Sequence, residues 1–322
     1  MSDNLKALVA AELAEPVQPA VAAMAEAIAA RYGEAARAVL FYGSCLRTAE
    51  LDGMMLDFYL IVSDYRTAYG KSWLASANRL IPPNVFPFEH GGMAAKYAVL
   101  SEADFRRECG PKAPTVSVWA RFAQPSRLVW AADAAARESV VESVALAAPT
   151  LLSYALPMVN TSSAQAEPVE AVPFSSSDKK DRASTSSAQA EGEDALEVWR
   201  RGFALTYTCE LRAERKDRSS SIVDAEPQRY RRFGEAAMPR GPAMSRAAGE
   251  RLWARLRRTG KRTTVLRLLK ASGTFAGGID YLAWKINRHA GTEIRITPWQ
   301  RRHPILAAFT LLPRLMKRGA VR

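Results

Sequence analysis

The sequence has few of the residues that hold disulfide-rich or zinc-bound domains together. Its 322 residues include three histidines and three cysteines, Cys45, Cys109 and Cys209, which lie far apart and form no CxxC pair. This spacing argues against a structural zinc site and predicts reduced thiols. An apolar content of 48% and a charged content of 24% are instead typical of a globular protein with an ordinary hydrophobic core.

Long apolar runs and targeting signals are also missing. The first fifteen residues, MSDNLKALVAAELAE, are acidic and amphipathic, and they lack the basic start and apolar centre of a signal peptide. The longest stretch without charge, residues 143–166, contains two prolines and many small polar residues, whereas a membrane span needs about 20 mostly apolar residues. We therefore expect a cytoplasmic protein without a membrane-spanning helix.

Acidic residues are scarce in only one part of the chain. Residues 240–322 hold 19 Lys and Arg but 3 Asp and Glu, which gives this region a net charge of +16. Since the whole chain has a net charge of +12, residues 1–239 have a net charge of −4. A basic region of this size needs an anionic partner, either a membrane surface or nucleic acid. Residues 250–270 mix leucines with arginines around a tryptophan, which is typical of a membrane-surface helix but also suits single-stranded nucleic acid.

Short apolar runs predict an α+β fold with a mixed sheet. Residues 36–42 and 56–64 are typical of buried strands, residues 96–101 of a third strand, and residues 118–131 of a short helix, a turn and a fourth strand. The segment PPNVFPFEHGG before the third strand is interpreted as a loop. Helical periodicity on either side of these runs indicates that strands and helices are mixed in one core.

Composition divides the chain into three regions. We predict a core over residues 1–135, a mainly helical domain over residues 136–238, and a basic amphipathic, membrane-associating region over residues 239–322. The helical domain is interrupted at about residues 161–191 by a Ser- and Ala-rich segment with the heptapeptide TSSAQAE at both of its ends. Such low-complexity sequence cannot form a packed unit, and we expect it to be disordered.

The loop between the first two strands carries residues that suit a nucleotide. The first apolar run ends at Gly43 and Ser44 and the second begins beside Asp57, so a strand pair would bring the three residues together. Glycine lets a polyphosphate approach the backbone, amides and the serine hydroxyl donate to it, and a carboxylate can hold Mg²⁺. A tight turn with an incidental Asp explains the pattern equally well, although an unpaired carboxylate in an apolar strand costs roughly several kcal/mol.

Other charged residues could complete such a site. Lys96 begins the third strand and Arg121 lies in the following helix, where both could bind phosphates or simply be solvated at the ends of elements. Glu210 and Arg212 are two positions apart on one predicted helix, so they do not face each other. Each is therefore either exposed or used elsewhere in the protein.

Taken in chain order, these segments resemble the mitochondrial-type phosphatidate cytidylyltransferases, the CDP-diacylglycerol synthases also called the translocator assembly and maintenance family of the nucleotidyltransferase superfamily. Most nucleotidyltransferases carry a second acid two residues after the first, but this family does not, and here that position is Tyr59. The matching segments are Tyr42-Gly43-Ser44-Cys45, Asp57-Phe58-Tyr59, Lys96–Ser101, Trp119–Pro125, Leu205–Arg212 and Ile222–Arg231. The chain differs from the family pattern at Cys45 (Gly), at Ala120 and Gln124 (one cation fewer) and at Glu210 (Asp).

The resemblance implies a nucleotidyltransferase-type core, a helical domain and an active site between them. The implied reaction converts CTP and phosphatidate to CDP-diacylglycerol and pyrophosphate with Mg²⁺, on a cytoplasmic protein that is peripheral on the inner face of the cell membrane. The implied site residues are Tyr42, Gly43, Ser44 and Cys45 for the nucleotide, Asp57, Lys96 and Arg121 for catalysis, Asp57 also for the metal, and Glu210 and Arg212 from the helical domain.

Two alternatives remain open from the sequence. The enzyme could transfer a nucleotide to another acceptor, such as RNA or a protein. The missing second acid, Cys45 and the basic C-terminal region also suit a catalytically inactive protein that binds a membrane or nucleic acid. Because nothing in the middle of the chain resembles an RNA-binding module, the expected partners are CTP, phosphatidate and an anionic membrane surface, not nucleic acid.

Overall fold

The computed structural model describes residues 3–48, 51, 54–70, 72–159, 195–210, 218–240, 244–274 and 296–299. These residues form an α+β fold, as the sequence predicts, in which a five-stranded mixed sheet is combined with a helical region. The predicted insertion at 161–191 and Arg212 lie outside the described residues. The predicted boundary at residue 135 falls just after the last strand, at the start of the helical region.

The sheet has the strand order β3-β4-β2-β1-β5, in which β2 and β4 are parallel and the other neighbours are antiparallel. Because two parallel strands lie at its centre, side chains far apart in sequence meet on one face. The strands are β1 (Ala36–Tyr42), β2 (Met55–Val62), β3 (Asn84–His90), β4 (Met93–Ser101) and β5 (Ser126–Ala131).

The interpretation of PPNVFPFEHGG as a loop is wrong, because strand β3 forms there. It pairs with β4 through a turn at Gly91 and Gly92, whose φ angles of 57° and 76° suit glycine. Prolines normally argue against a strand, but an edge strand needs hydrogen bonds on one side only and therefore tolerates Pro87.

Helices cover both faces of the sheet and form a separate layer beyond one of them. The helices are α1 (Asp3–Leu13), α2 (Pro19–Ala30), α3 (Ser44–Thr48), α4 (Tyr65–Tyr69), α5 (Ser72–Leu80), α6 (Glu102–Cys109), α7 (Trp119–Phe122), α8 (Ala134–Val144), α9 (Ala147–Ala155), α10 over residues 195–207, α11 (Arg218–Ala225), α12 (Pro227–Ala237) and α13 (Arg246–Thr274).

Successive side chains of β2 point to opposite faces of the sheet, and each face packs into a different hydrophobic core. Leu56, Phe58 and Leu60 are buried on one face against α2 and the start of α4. Tyr59 and Ile61 are buried on the other face, in a larger core that includes side chains of α6 to α10, α12 and α13. Since side chains alternate in a strand, Asp57 belongs to the face covered by the helical region.

The helix α13 packs against the protein with its apolar side. Trp253 and Leu256 are buried in the larger core, and a Cβ on Gly260 would overlap the backbone carbonyl of Cys209. The sequence predicts that the apolar residues of this segment face a membrane surface, but at these positions the protein itself covers them. An amphipathic pattern predicts that one face of a helix is buried, but it does not distinguish burial in a membrane from burial in the protein's own core.

Within the part of the chain that the structure describes, one helical stretch, Ala134–Met158, is long and apolar enough to cross a membrane by length and composition. More than half of its most apolar window is buried inside the protein, and it contributes α8 and α9 to the larger core. The core helix of a globular protein passes the same test, so this is weak evidence for a span.

Candidate active site

The register of the central strands places three of the sequence-predicted residues side by side. Tyr42 of β1 pairs with Asp57 of β2, and Asp57 pairs with Lys96 of the parallel strand β4. Lys96 Nζ lies 2.6 Å from Asp57 Oδ1, and both side chains are partly exposed. The carboxylate within the apolar strand is thus compensated by an ammonium group.

The turn after β1 lies directly against Asp57. Gly43 has a φ of 99°, and a Cβ at this position would lie 3.0 Å from Asp57 Oδ2. Glycine is therefore required both by the backbone conformation and by the close approach to the carboxylate. Ser44 follows at the start of α3 and is half-buried, so Gly43, Ser44 and Asp57 meet as the sequence analysis expected.

The two residues that flank this turn pack into the cores. Tyr42 packs its ring against Tyr59 and Phe122, and burial together with the charge of Asp57 raises the pKa of its hydroxyl. Cys45 is buried, its Sγ lies 3.6 Å from the carbonyl oxygen of Met55, and burial raises the pKa of the thiol. The Cys45 side chain is therefore accommodated in the core and stays protonated at neutral pH.

Arg121 extends from α7 over the same face of the sheet. Its Nη1 donates to the carbonyl oxygen of Ser117, and its Nη2 lies 3.9 Å from Glu210 Oε2. Burial alone would lower the pKa of Arg121, but the neighbouring Tyr59 and Glu210 outweigh it and raise the pKa above its ordinary value. The guanidinium therefore stays charged between the sheet and the helical region. The surroundings of Arg121, Ser117 and Glu210, together with Asp57 and Lys96, are called the cleft below.

Glu210 reaches the cleft from the end of α10. It is 9% exposed, and its Oε1 accepts a hydrogen bond from Ser117 Oγ. Glu210, which the sequence predicts at the site from the helical domain, thus contacts Ser117 and lies close to Arg121. Arg212 lies outside the described part of the chain.

Two further cations, Arg267 and Lys270 of α13, enter the cleft and were missed from the sequence. Arg267 donates from Nη1 to Ser117 Oγ at 2.6 Å and from Nε to the Pro82 carbonyl oxygen at 2.7 Å. Lys270 Nζ donates to the Pro83 carbonyl oxygen at 2.9 Å and also to that of Ile81.

Helical spacing was the signal that could have found these cations. Trp253, Leu256, Gly260 and Arg267 follow one another at intervals of three, four and seven residues and share one face of α13. The first three are buried against the protein, so the fourth must also point inward. The buried stripe changes from apolar to cationic where the helix reaches the cleft.

The cleft carries more positive than negative charge. Each excess cation raises the local concentration of anionic ligands, and the effect is strongest where the walls are buried. Among the described residues, the cations are Lys96, Arg121, Arg267 and Lys270, and the carboxylates are Asp57, Glu210 and Glu108, the last of which acts on Arg267.

The residues present can accept Mg²⁺ only in a limited way. No group of three or more His, Cys, Asp or Glu that could hold a metal occurs among the described residues. Mg²⁺ is commonly bound by one or two carboxylates together with waters and substrate phosphates. Asp57, whose Oδ2 faces the Gly43 turn, fits as the single protein ligand of an ion that a nucleotide brings with it.

Comparison with known proteins leaves the family open. No protein-family model matches the chain, and no curated protein matches its sequence. Any function is therefore inferred from the residues and geometry of the site.

Proposed function

We propose that the protein is a phosphatidate cytidylyltransferase, which forms CDP-diacylglycerol and pyrophosphate from CTP and phosphatidate. The observation that carries the proposal is the contact between the Gly43 turn and Asp57, with Lys96 bound to the same carboxylate. A glycine turn that lies on a carboxylate, beside a row of cations, suits a triphosphate and its magnesium ion.

In the proposed reaction, a phosphate oxygen of phosphatidate attacks the α-phosphorus of CTP, and the bond from the α-phosphorus to the oxygen bridging to the β-phosphate breaks. The Gly43–Ser44 turn and Lys96 hold the departing pyrophosphate, and Arg121 neutralises charge that develops at the α-phosphate. Mg²⁺, when bound at Asp57, supplies further neutralisation of the phosphates. The chain needs no strong general base, because a phosphate monoester is already ionised near neutral pH.

The exposed side of α13 supports a peripheral position on the inner face of the cell membrane. Six cations on this helix are exposed to solvent while its opposite side is buried in the protein. Cations near an anionic membrane surface contribute about 1 kcal/mol each to binding. The exposed cations are Arg246, Arg251, Arg255, Arg258, Lys261 and Arg262.

The ion pair between Lys96 and Asp57 also supports a second candidate, an anion-binding protein without catalytic activity. At 2.6 Å the ammonium occupies one oxygen of the carboxylate that would bind the metal. In that case the protein would bind phosphates without Mg²⁺ and without turnover. Transfer of the nucleotide to RNA or to a protein would instead require CTP binding with a different acceptor.

CTP binding and turnover, measured with Asp57→Asn, separate these candidates. The proposal predicts that the wild-type protein binds CTP more tightly with Mg²⁺ than without it and that Asp57→Asn abolishes this difference. Glu89→Gln, which neutralises an exposed carboxylate on β3, is the matched control and should behave as wild type. Binding that does not depend on Mg²⁺ or Asp57, without CDP-diacylglycerol, would favour the inactive protein.

A further inference from the structure

Arg267 and Lys270 are positioned in the cleft by neutral groups only. Their hydrogen bonds go to carbonyl oxygens of residues 81–83 and to the hydroxyl of Ser117. Neither cation has a carboxylate oxygen of the described residues within 4.0 Å. Both side chains are partly buried. The carboxylates of Glu210 and Glu108 offset part of the charge of Arg267, whereas the neighbouring charge that acts on Lys270 is that of Arg267. The two cations can therefore bind a further anion.

The positive charges of Arg267, Lys270 and Arg121 also repel one another. Burial, and then the charge of Arg267, lowers the pKa of Lys270 to about 7. Arg267 is in turn close enough to Arg121 for the two guanidinium groups to repel each other. A dianionic phosphate placed between such groups would relieve this repulsion, and a guanidinium fork with an ammonium group matches its oxygens.

The cations of α13 lie beside Arg121. Arg121 donates to the carbonyl oxygen of Ser117 and Arg267 donates to its hydroxyl, while Arg267 and Lys270 both donate to carbonyl oxygens of residues 81–83. Arg121 also interacts electrostatically with Asp57, which lies against Gly43. An arrangement of this kind can hold two phosphate-bearing molecules with Arg121 between them.

We infer that Arg267 and Lys270 bind the phosphate monoester of the acceptor substrate, an inference that rests on the proposed function and assigns its second substrate to α13. The acceptor phosphate would lie next to Arg121, where its oxygen faces the α-phosphate of the nucleotide. Part of the basic C-terminal region would then belong to the active site instead of the membrane surface. Its exposed cations remain available to an anionic membrane.

Calorimetric titration of the full chain tests this inference separately from catalysis. The probes are a soluble short-chain phosphatidate and, in a second titration, CTP with Mg²⁺. We expect Arg267→Ala and Lys270→Ala each to weaken phosphatidate binding by at least about tenfold, since each removes a charged hydrogen-bond partner. CTP binding should be unchanged. The matched controls are Arg232→Ala on α12 and Lys112→Ala, two exposed cations outside the site, which should leave both affinities within about twofold of wild type.

The outcomes separate the inference from the proposed function. Loss of CTP binding in Arg267→Ala with phosphatidate binding retained would overturn the inference, because the cations would then serve the nucleotide. Absence of phosphatidate binding by the wild-type protein would overturn it as well. Phosphatidate binding that depends on Arg267 and Lys270, in a protein that does not bind CTP, would support the inference and refute the proposed function. Recovery of phosphatidate affinity in Arg267→Lys would confirm that the charge, not the packing, is required.

Discussion

Substitution of Gly43 by alanine is expected to damage nucleotide binding by two separate effects. A residue with a Cβ at a φ of 99° is strained, which costs on the order of 1–3 kcal/mol. The new Cβ would also lie 3.0 Å from Asp57 Oδ2, so the carboxylate or the turn has to shift. We expect the first effect to lower the free energy of unfolding and the second to weaken CTP binding by about tenfold or more, the loss of one charged contact.

Gly33→Ala provides the matched control for Gly43→Ala. Gly33 also has a positive φ, 52°, but nothing lies within 4 Å of the position that its Cβ would occupy. This variant should therefore lose stability through backbone strain without a change in CTP binding. Urea unfolding measures the first quantity and calorimetric titration with CTP and Mg²⁺ the second. Wild-type CTP affinity in folded Gly43→Ala would refute the argument that the turn and Asp57 form one site.

Three further predictions concern the helical region. Gly260→Ala should displace α13 from the end of α10, because the new Cβ would overlap the carbonyl of Cys209. The rate of CDP-diacylglycerol formation should fall by about tenfold or more, since a shift of about 1 Å in positioning groups lowers the reaction rate strongly. An unchanged rate would mean that α13 has no part in the site. Because the pKa of Lys270 is lowered, the unfolded chain binds more protons than the folded protein between about pH 7 and 10. The free energy of unfolding should therefore rise with pH over this range, by at most about 1.4 kcal/mol per pH unit. Urea unfolding of Lys270→Met should show no such rise. Arg229→Ala should lower the free energy of unfolding by about 3–5 kcal/mol, since it leaves the largely buried carboxylate of Glu12 unpaired. Exposed Arg231→Ala should change it by less than about 0.5 kcal/mol, and equal effects of the two variants would contradict the importance of the pair between Arg229 and Glu12.

The local part of the site could be predicted from the sequence. Apolar runs of strand length ending at Gly43 and beginning at Asp57 indicate a strand pair, and strand pairing brings their ends together. The contact between Lys96 and Asp57 depends on the parallel pairing of β2 with β4, which joins segments separated by two helices and a strand. No short pattern encodes such a register, so the sequence offers Lys96 only as a cation that could bind phosphates and does not predict its contact with Asp57.

The contribution of α13 could not be predicted, for a physical reason. Its apolar and cationic stripes are equally compatible with a membrane surface and with the protein's own core, because burial has the same periodicity in both cases. Only the positions of Trp253 and Leu256 in the larger core decide between them here. Strand β3 was missed because prolines at a sheet edge look like a loop in sequence.

The most direct test of the proposed function is transfer of label from α-³²P-CTP to lipid. The purified full chain would be incubated with Mg²⁺ and liposomes that contain phosphatidate, and a parallel reaction would contain liposomes with phosphatidylglycerol in its place. The account predicts a chloroform-soluble labelled product only with phosphatidate, which is lost in Asp57→Asn and retained in Glu89→Gln. Failure of the wild-type protein to form this product, or equal product formation by Asp57→Asn, would contradict it.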